Sequence, residues 1–537
     1  MEEGELGKTI GMSEELIMKV CSLSLKAHTS GKPYLCEKNR GEVVFSFQGS
    51  WSVEDWFSSS PSDPEAYAKL FLSWFPSLRS IGVAEVAVVN EAFLRRFEVI
   101  QKTASFQDEV KRAVMEKKKI VFAGHSSGGP MAILATLWFL EHMRKEPSLI
   151  RCVTFGSPLV GDRIIPHALK REKWDACFIQ FVMRHDIVPR LMLAPLSSIE
   201  RDELQSVLHF FNPKSSSFKT DSVVTAKQEF FVNVMRNGSC VASHIAANLM
   251  VSANPLLGTL ASFKELSPYR PFGTYIFCTG NGKLVVAKNS DAVLQILCHS
   301  FQLQRQEEIA ELAGEVQKQK QRNQDKINQN TTRIQEEIRK IQIYQRQSED
   351  RGVGYYDSFK LQDDEADFKA NVSRLELAGM WDEITEMLKK YELPEDFEVQ
   401  KEWIELGTKF RKLVEPLDIA NYYRHSKDND TGFYMKDGSR PKRYRFTQQW
   451  REHALRTGKG SCSESCFWAK VEELSKRNVE DVKKEIGDFE TDLLKWITNG
   501  EIGKDVILER STFYKWWKSI EKDPALLRQH FPSGEQA

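Results

Sequence analysis

The chain lacks an excess of charge of either sign: 75 Lys and Arg balance 75 Asp and Glu over 537 residues. Nothing global therefore addresses a polyanion or an anionic membrane surface, although a local basic cluster still can. An apolar run of about 18 residues is also missing, so no membrane-spanning helix and no stable membrane insertion are expected. The start, Met1-Glu2-Glu3-Gly4-Glu5, is acidic and is not followed by an apolar stretch, and no secretory signal is expected there. Cysteine is sparse and odd in number, nine residues scattered along the chain, which fits reduced thiols better than a disulfide framework. Cys462-x-x-x-Cys466 has no second pair nearby, so no metal site is expected. These absences describe a soluble intracellular protein, and its length exceeds what one hydrophobic core usually holds.

What is present divides into three stretches. From Glu42 to about His299, strand-like runs alternate with helix-period stretches, the pattern of a sheet covered by helices. The strand candidates are Val43–Phe47, Ile120–Ala123, Cys152–Phe155, Phe178–Met183, Tyr275–Phe277 and Leu284–Val286, the last two joined by a hairpin-type turn at Thr279-Gly280-Asn281-Gly282. Residues 301–350 are rich in Gln, Glu, Lys and Arg, with a thin apolar stripe that includes Ile334, Ile338 and Ile341. The stretch reads as a polar linker helix interrupted by Asn323, Asn328 and Asn330 and lying along the next domain, with a coiled-coil adaptor as the alternative. Residues 351–537 show no convincing strand but several amphipathic helices, such as Phe368–Leu388 and Val479–Ile497. Tryptophans at 381, 403, 450, 468, 496, 516 and 517 can anchor a helical core there. The expected domains are thus 1–300, 301–350 and 351–537.

Chemistry is most legible at Gly124-His125-Ser126-Ser127-Gly128-Gly129, placed between an apolar strand and the apolar helix Met131–Leu140. A Gly-x-Ser-x-Gly turn in that setting is a nucleophile elbow, which lifts Ser126 above an α/β-hydrolase sheet. Candidate oxyanion donors are the backbone amide of Ser127 and a group near Gly49-Ser50. Asp186 follows the strand Phe178–Met183, where a triad acid belongs, and the order Ser then Asp suits such a fold. The histidine is the missing part. His209, His244 and His299 all follow Asp186, yet none sits in a loop beyond the last strands, so the triad reads as incomplete and vestigial.

Several motifs together carry a resemblance: Phe122-Ala-Gly-His-Ser-Ser-Gly-Gly, Cys152-Val-Thr-Phe-Gly-Ser-Pro-Leu-Val-Gly-Asp, Asp186-Ile-Val-Pro-Arg, Leu266-Ser-Pro-Tyr-Arg-Pro, Gly354-Tyr-Tyr-Asp-Ser-Phe-Lys, Leu413-Val-Glu-Pro-Leu-Asp-Ile-Ala-Asn-Tyr and Ser465-Cys-Phe-Trp-Ala-Lys-Val-Glu-Glu-Leu. The chain resembles the plant Enhanced Disease Susceptibility family of lipase-like immune regulators. The first three motifs are shared with class 3 lipases, and those after residue 354 belong to the family's C-terminal domain. The resemblance implies an α/β-hydrolase (class 3 lipase-like) N-terminal domain plus an all-α helical-bundle C-terminal domain. It further implies a non-catalytic scaffold in nucleus and cytoplasm, without cofactor and without direct nucleic-acid binding. Such a scaffold pairs with a phytoalexin-deficient or senescence-associated partner, binds an ADP-ribose-derived messenger from TIR-domain signalling, and engages helper NLR proteins. Two departures stand out. The polar stretch replaces the family's histidine loop, and the segment between Leu455 and Cys462 is short.

Two binding constellations follow. After the helix start Asn254-Pro255, Leu256, Leu260 and Phe263 share one helical face. By resemblance this stripe inserts into a groove on the partner, with Lys264 standing where the family has another apolar residue. Arg424, His425, Lys427, Arg440, Lys442, Arg443 and Arg445 interleave with tyrosines, a mixture that suits a nucleotide-like anion. By resemblance, His425, Lys427 and Arg443 line the ligand cavity, and Phe368 and Arg374 match the neighbouring cavity helix. The rival reading is an acyl hydrolase, a lipase or esterase, using Ser126 and Asp186.

Overall fold

The computed structural model describes residues 7, 10–57, 67–69, 74–82, 85–143, 147–183, 186–193, 198–212, 214–216, 230–232, 234–235, 267–278, 284–299, 306–425, 433–435, 439–455 and 464–532. The chain forms two compact units, the first built mainly from residues 1–80 and 84–322, the second from residues 323–393 and 397–537.

The first unit holds a seven-stranded sheet in the order β1-β2-β5-β6-β7-β8-β9. Its strands are β1 (Tyr34–Lys38), β2 (Glu42–Phe47), β5 (Lys119–His125), β6 (Ile150–Phe155), β7 (Phe178–Met183), β8 (Thr274–Cys278) and β9 (Leu284–Ala287), while β3 (Tyr67–Lys69) and β4 (Val88–Asn90) pair separately. The five central strands run parallel, and β1 and β9 close the edges antiparallel. Strands buried on both faces explain the near-continuous apolar runs in the sequence. One face meets the helix Glu14–Thr29, whose Ile17, Val20 and Leu23 pack with Val44, Val121, Val153, Ile179 and Ile276. The other face holds a cluster of rings from Phe45, Phe47, Phe106 and Phe122, with Trp138 of the buried helix Gly129–Met143 against Phe106. Each of the six expected strands is present. The turn expected at 279–282 lies outside the described residues.

The second unit is helical, with no strand among its described residues. All seven tryptophans expected to anchor it are buried in one core. Trp381 stacks on Phe410 with ring centroids 5.2 Å apart, and Phe410 stacks on Tyr444 at 5.3 Å. Tyr356 lies flat on Trp468 at 4.0 Å and donates from its hydroxyl to Glu472 at 2.9 Å, which ties the Gly354-Tyr-Tyr motif to the Ser465-Cys-Phe-Trp motif. The helix Glu365–Lys389 starts on a capping box in which Asp364 accepts from the Ala366 amide and Asp367 accepts from the Asp364 amide.

One expectation is corrected here. Residues 301–350 are not a separate linker domain: the described part breaks at Asn330, one of the expected interruptions, into helices Gln306–Gln329 and Thr331–Asp350, and the division between the two units falls between residues 322 and 323. Ile334, Ile338, Ile341 and Tyr344 are buried in the core of the second unit, so the second helix is part of that bundle. From Ile327 to Ile341 the stripe that raised the coiled-coil alternative is buried within the chain, because apolar residues at three- and four-residue steps are enough to bury one face; the side chains of Ile309, Leu312 and Val316 lie outside the described residues.

Candidate functional site

The elbow forms as its spacing dictates. β5 ends at His125, Ser126 adopts φ +52°, and the helix Gly129–Met143 follows directly. A Cβ at Gly124 would stand 2.2 Å from the Gly128 carbonyl oxygen, and one at Gly128 would stand 2.5 Å from the Phe47 carbonyl oxygen, so no larger residue fits either place. Left-handed backbone at a serine costs about 1–2 kcal/mol. Ser126 itself is half-buried, and no described residue hydrogen-bonds to its hydroxyl.

The oxyanion side is occupied in part from within. Ser50 donates its backbone N–H to Ser127 Oγ at 2.7 Å, and that hydroxyl donates to the Ser50 carbonyl at 3.2 Å. Arg96 spans the carbonyls of Ser127 and Gln48 at 3.1 and 3.2 Å, and Ser50 Oγ donates to Asp55 at 2.5 Å. Near Gly49-Ser50, where one oxyanion donor is expected, the Ser50 amide is occupied.

Asp186 takes the expected place at the carboxyl edge of the sheet. Its Oδ1 accepts from the Val188 amide at 3.0 Å, and its Oδ2 lies over Gly156 at the end of β6, where a Cβ would approach it to 2.2 Å. Burial raises its pKa above the ordinary carboxylate value. Among the described residues, no imidazole hydrogen-bonds to Asp186 or to Ser126. His209 is exposed on the helix Ser198–Phe211, His244 lies outside the described residues, and so does the side chain of His299.

An imidazole does approach the elbow from a direction that chain order did not point to. His28 stands with Nδ1 3.3 Å from the His125 carbonyl, edge-on to Trp51 and to His125 at centroid distances of 4.6 and 5.1 Å. Burial, reinforced by His125, pushes its pKa down to about 4, so the ring is neutral at physiological pH. Its Nε2 is buried without a hydrogen-bond partner. His28 therefore packs the turn before the serine. A search limited to histidines after Asp186 misses it, and no local pattern around residue 28 marks it.

The second constellation lies within the helical unit. Arg374, on Glu365–Lys389, and Arg443, on Lys442–Ala454, converge on Asp418 of the helix Lys401–His425. Arg374 Nη1 donates to Asp418 Oδ1, Arg443 Nη2 donates to Oδ2 at 2.7 Å, and the Tyr444 hydroxyl adds a third bond at 2.6 Å. Asn371 holds Arg374 Nε and Nη2 at 3.1 and 2.9 Å. Arg443 also lies over the Tyr444 ring at 5.0 Å and reaches Asp382 at 2.9 Å. Burial alone would lower the Arg443 pKa, but Tyr444 and Asp418 raise it, so the cation is secure. Arg424 stands next to this group, held by Asn421 at 2.7 Å. Its pKa is lowered by burial and by the like charge of Arg374.

Arg374 and Arg443, two of the residues expected to bind ligand, are thus brought together. Phe368 projects from the same helix as Arg374 and is 65 % exposed, while His425 is exposed and in contact with Arg424 at 3.1 Å. Lys427 lies outside the described residues, as do Leu256, Leu260 and Phe263. Arg440, grouped with the basic cluster in the sequence, serves the interior instead: it pairs with buried Glu415 at 2.5 and 2.9 Å. Sequence reasoning did not single out Asp418 and Asn421, although they precede Arg424 by six and three residues, so that each is the helical neighbour of the next.

Comparison with known proteins matches the same two parts. Residues 44–195 match the class 3 lipase family, and residues 339–527 match the family described as Enhanced disease susceptibility 1 protein EP domain. The Arabidopsis thaliana protein EDS1L is 40 % identical, with 96 % of each chain covered. The chain belongs to the EDS1 family. EDS1 from the same plant is likewise 40 % identical over 96 % of both chains, and the lipase-like PAD4 is 26 % identical over 83 % of this chain and 82 % of its own length. Membership makes this a plant disease-resistance regulator with a lipase-like fold. The alignment with EDS1L runs over 608 positions against the 537 residues here, so the EDS1 relative carries residues that this chain lacks.

Proposed function

We propose that this chain is a non-catalytic immune-signalling scaffold. It pairs with a lipase-like partner of the PAD4 or senescence-associated carboxylesterase type through the stripe Leu256, Leu260 and Phe263. Together with that partner it binds a nucleotide-derived messenger from TIR-domain signalling at Phe368, Arg374, His425, Lys427 and Arg443. The liganded complex then engages helper NLR proteins in nucleus and cytoplasm. The observation that carries this reading is the convergence of Arg374 and Arg443, from two different helices, on one buried carboxylate with Arg424 beside it. Guanidinium forks and tyrosine rings in one place suit phosphate oxygens and a planar base. The occupied Ser50 amide supports the non-catalytic half.

The test is co-purification followed by calorimetry with ADP-ribose. Phe263→Asp is expected to abolish partner capture by placing an unpaired charge in an apolar groove, whereas Arg443→Ala is expected to keep the partner and lose the ligand. Partner capture by Phe263→Asp, or full affinity in Arg443→Ala, would refute the corresponding half.

One observation favours a second reading, an acyl hydrolase: Ser126 retains the strained elbow conformation with an uncommitted hydroxyl. Ester turnover by the wild type that vanishes in Ser126→Ala would establish it.

A further inference from the structure

Arg443 is held by two carboxylates that differ sharply in their surroundings. Asp418 has a side chain only 7 % exposed and also serves Arg374 and the Tyr444 hydroxyl, whereas the Asp382 side chain is 55 % exposed and has Arg443 as its ion-pair partner. A buried carboxylate that binds two guanidinium groups cannot leave them without stranding their charges. An exposed one can turn into water at little cost. Arg443 also keeps an Nε donor that is buried and unpartnered.

We infer that Asp382 is a built-in competitor. It occupies the outward Nη1 donor of Arg443 until an anionic ligand takes its place, and so sets the affinity of the site for that ligand, while Asp418 is the fixed counter-ion that keeps Arg374 and Arg443 aligned. This rests on the reading that the arginine cluster is the anion site. Charge counting supports it. Arg374, Arg424 and Arg443 stand against Asp382 and Asp418, leaving one net positive charge, and moving Asp382 aside leaves two for the ligand. Asp382 lies on the helix Glu365–Lys389, two turns beyond Arg374, so the competitor and one of the arginines ride on one rigid element.

The experiment titrates ADP-ribose by calorimetry into the full chain co-purified with its lipase-like partner, comparing wild type, Asp382→Asn and Arg443→Ala at low and high salt. Asp382→Asn is expected to bind about three- to ten-fold more tightly at low salt, the size of one exposed ion pair plus the lost repulsion. That gain should shrink at high salt, because an exposed charge is screened. A substitution acting only through the fold would not tighten binding in a salt-dependent way. Equal or weaker binding by Asp382→Asn, with Arg443→Ala still losing the ligand, would overturn the inference and leave the anion site intact. Full affinity in Arg443→Ala, or no binding by any form, would overturn both.

Discussion

Ser50 and Ser127 hold each other twice: the Ser50 amide donates to Ser127 Oγ at 2.7 Å, and the same hydroxyl donates back to the Ser50 carbonyl at 3.2 Å. This pair joins the loop after β2 to the elbow after β5, two strands that are neighbours in the sheet. In a working hydrolase, amides in this position stay vacant for the charge that develops on the substrate. Here one of them is consumed in holding the turn together.

Replacing Ser127 with Ala should therefore release the Ser50 amide. We expect its hydrogen exchange to accelerate and stability to fall by about 1 kcal/mol, the usual worth of a hydrogen bond. Ester hydrolysis should stay at background, because freeing one donor supplies no general base. Turnover appearing in Ser127→Ala would mean that the plug was all that restrained the serine.

Ser126 offers a complementary case. Its φ of +52° is strained for any residue with a Cβ, and its hydroxyl has no described partner. Ser126→Gly should relieve the strain while adding chain entropy to the unfolded state, a net gain of about 0.5–1 kcal/mol. Ser126→Ala keeps the strain and loses no hydrogen bond, so it should match the wild type. Urea unfolding of the three forms checks the order, and a less stable glycine variant would contradict it.

How much of this was legible depends on the distance over which each feature is decided. The elbow is local: glycines at 124 and 128 are required by backbone atoms only a few residues away or on the adjacent strand, and the pattern announces them. β7 was read at its observed bounds because Phe178–Met183 is apolar at nearly every position. β1, Tyr34-Leu-Cys-Glu-Lys, was missed because an edge strand is held by its ladder to β2 and carries little apolar signal. The helix Thr331–Asp350 reads in sequence as a linker along the next domain and not as part of its core, because glutamine and charge outnumber the few isoleucines that bury it. Asp418 was invisible as a hub, since its partners lie 44 and 25 residues away and meet it only after three helices have packed. The resemblance supplied Arg374 and Arg443 without the carboxylate between them.

The two carboxylates on Arg443 should separate cleanly in stability. Asp418→Ala strands the buried Arg374 and removes the inner partner of Arg443, and a cost of roughly 3 kcal/mol is expected, near the lower end for a broken buried pair because Arg443 retains Asp382. Asp382→Ala should cost under about 1 kcal/mol, as exposed pairs do. Denaturant midpoints of the two variants give the comparison, and equal losses would show that burial does not distinguish them.

The helical unit should also carry a pH dependence at Asp505. This carboxylate is buried, its Oδ2 has no hydrogen-bond partner, and desolvation, with Glu349 and Asp357 repelling its charge, raises its pKa to about 7. Asp357 is itself raised by burial although Thr512 donates two hydrogen bonds to its Oδ1, and Tyr355 is packed alongside. A folded-state pKa above the ordinary value of 3.8 means that the native protein holds a proton that the unfolded chain releases. The resulting stabilisation is present at low pH, declines as pH rises from about 4 towards 7, and is replaced by a constant penalty above that. Asn mimics the protonated acid and has no charge to bury. Asp505→Asn should thus match the wild type near pH 4 and exceed it by on the order of 2–4 kcal/mol at pH 8. Thermal unfolding of both forms across that range measures the difference directly, and taking variant minus wild type cancels the contributions of titrating groups that do not interact with Asp505. A gap that stays flat with pH would mean that Asp505 is ionised in the fold at all these values, with the buried oxygen stabilised by something other than a proton.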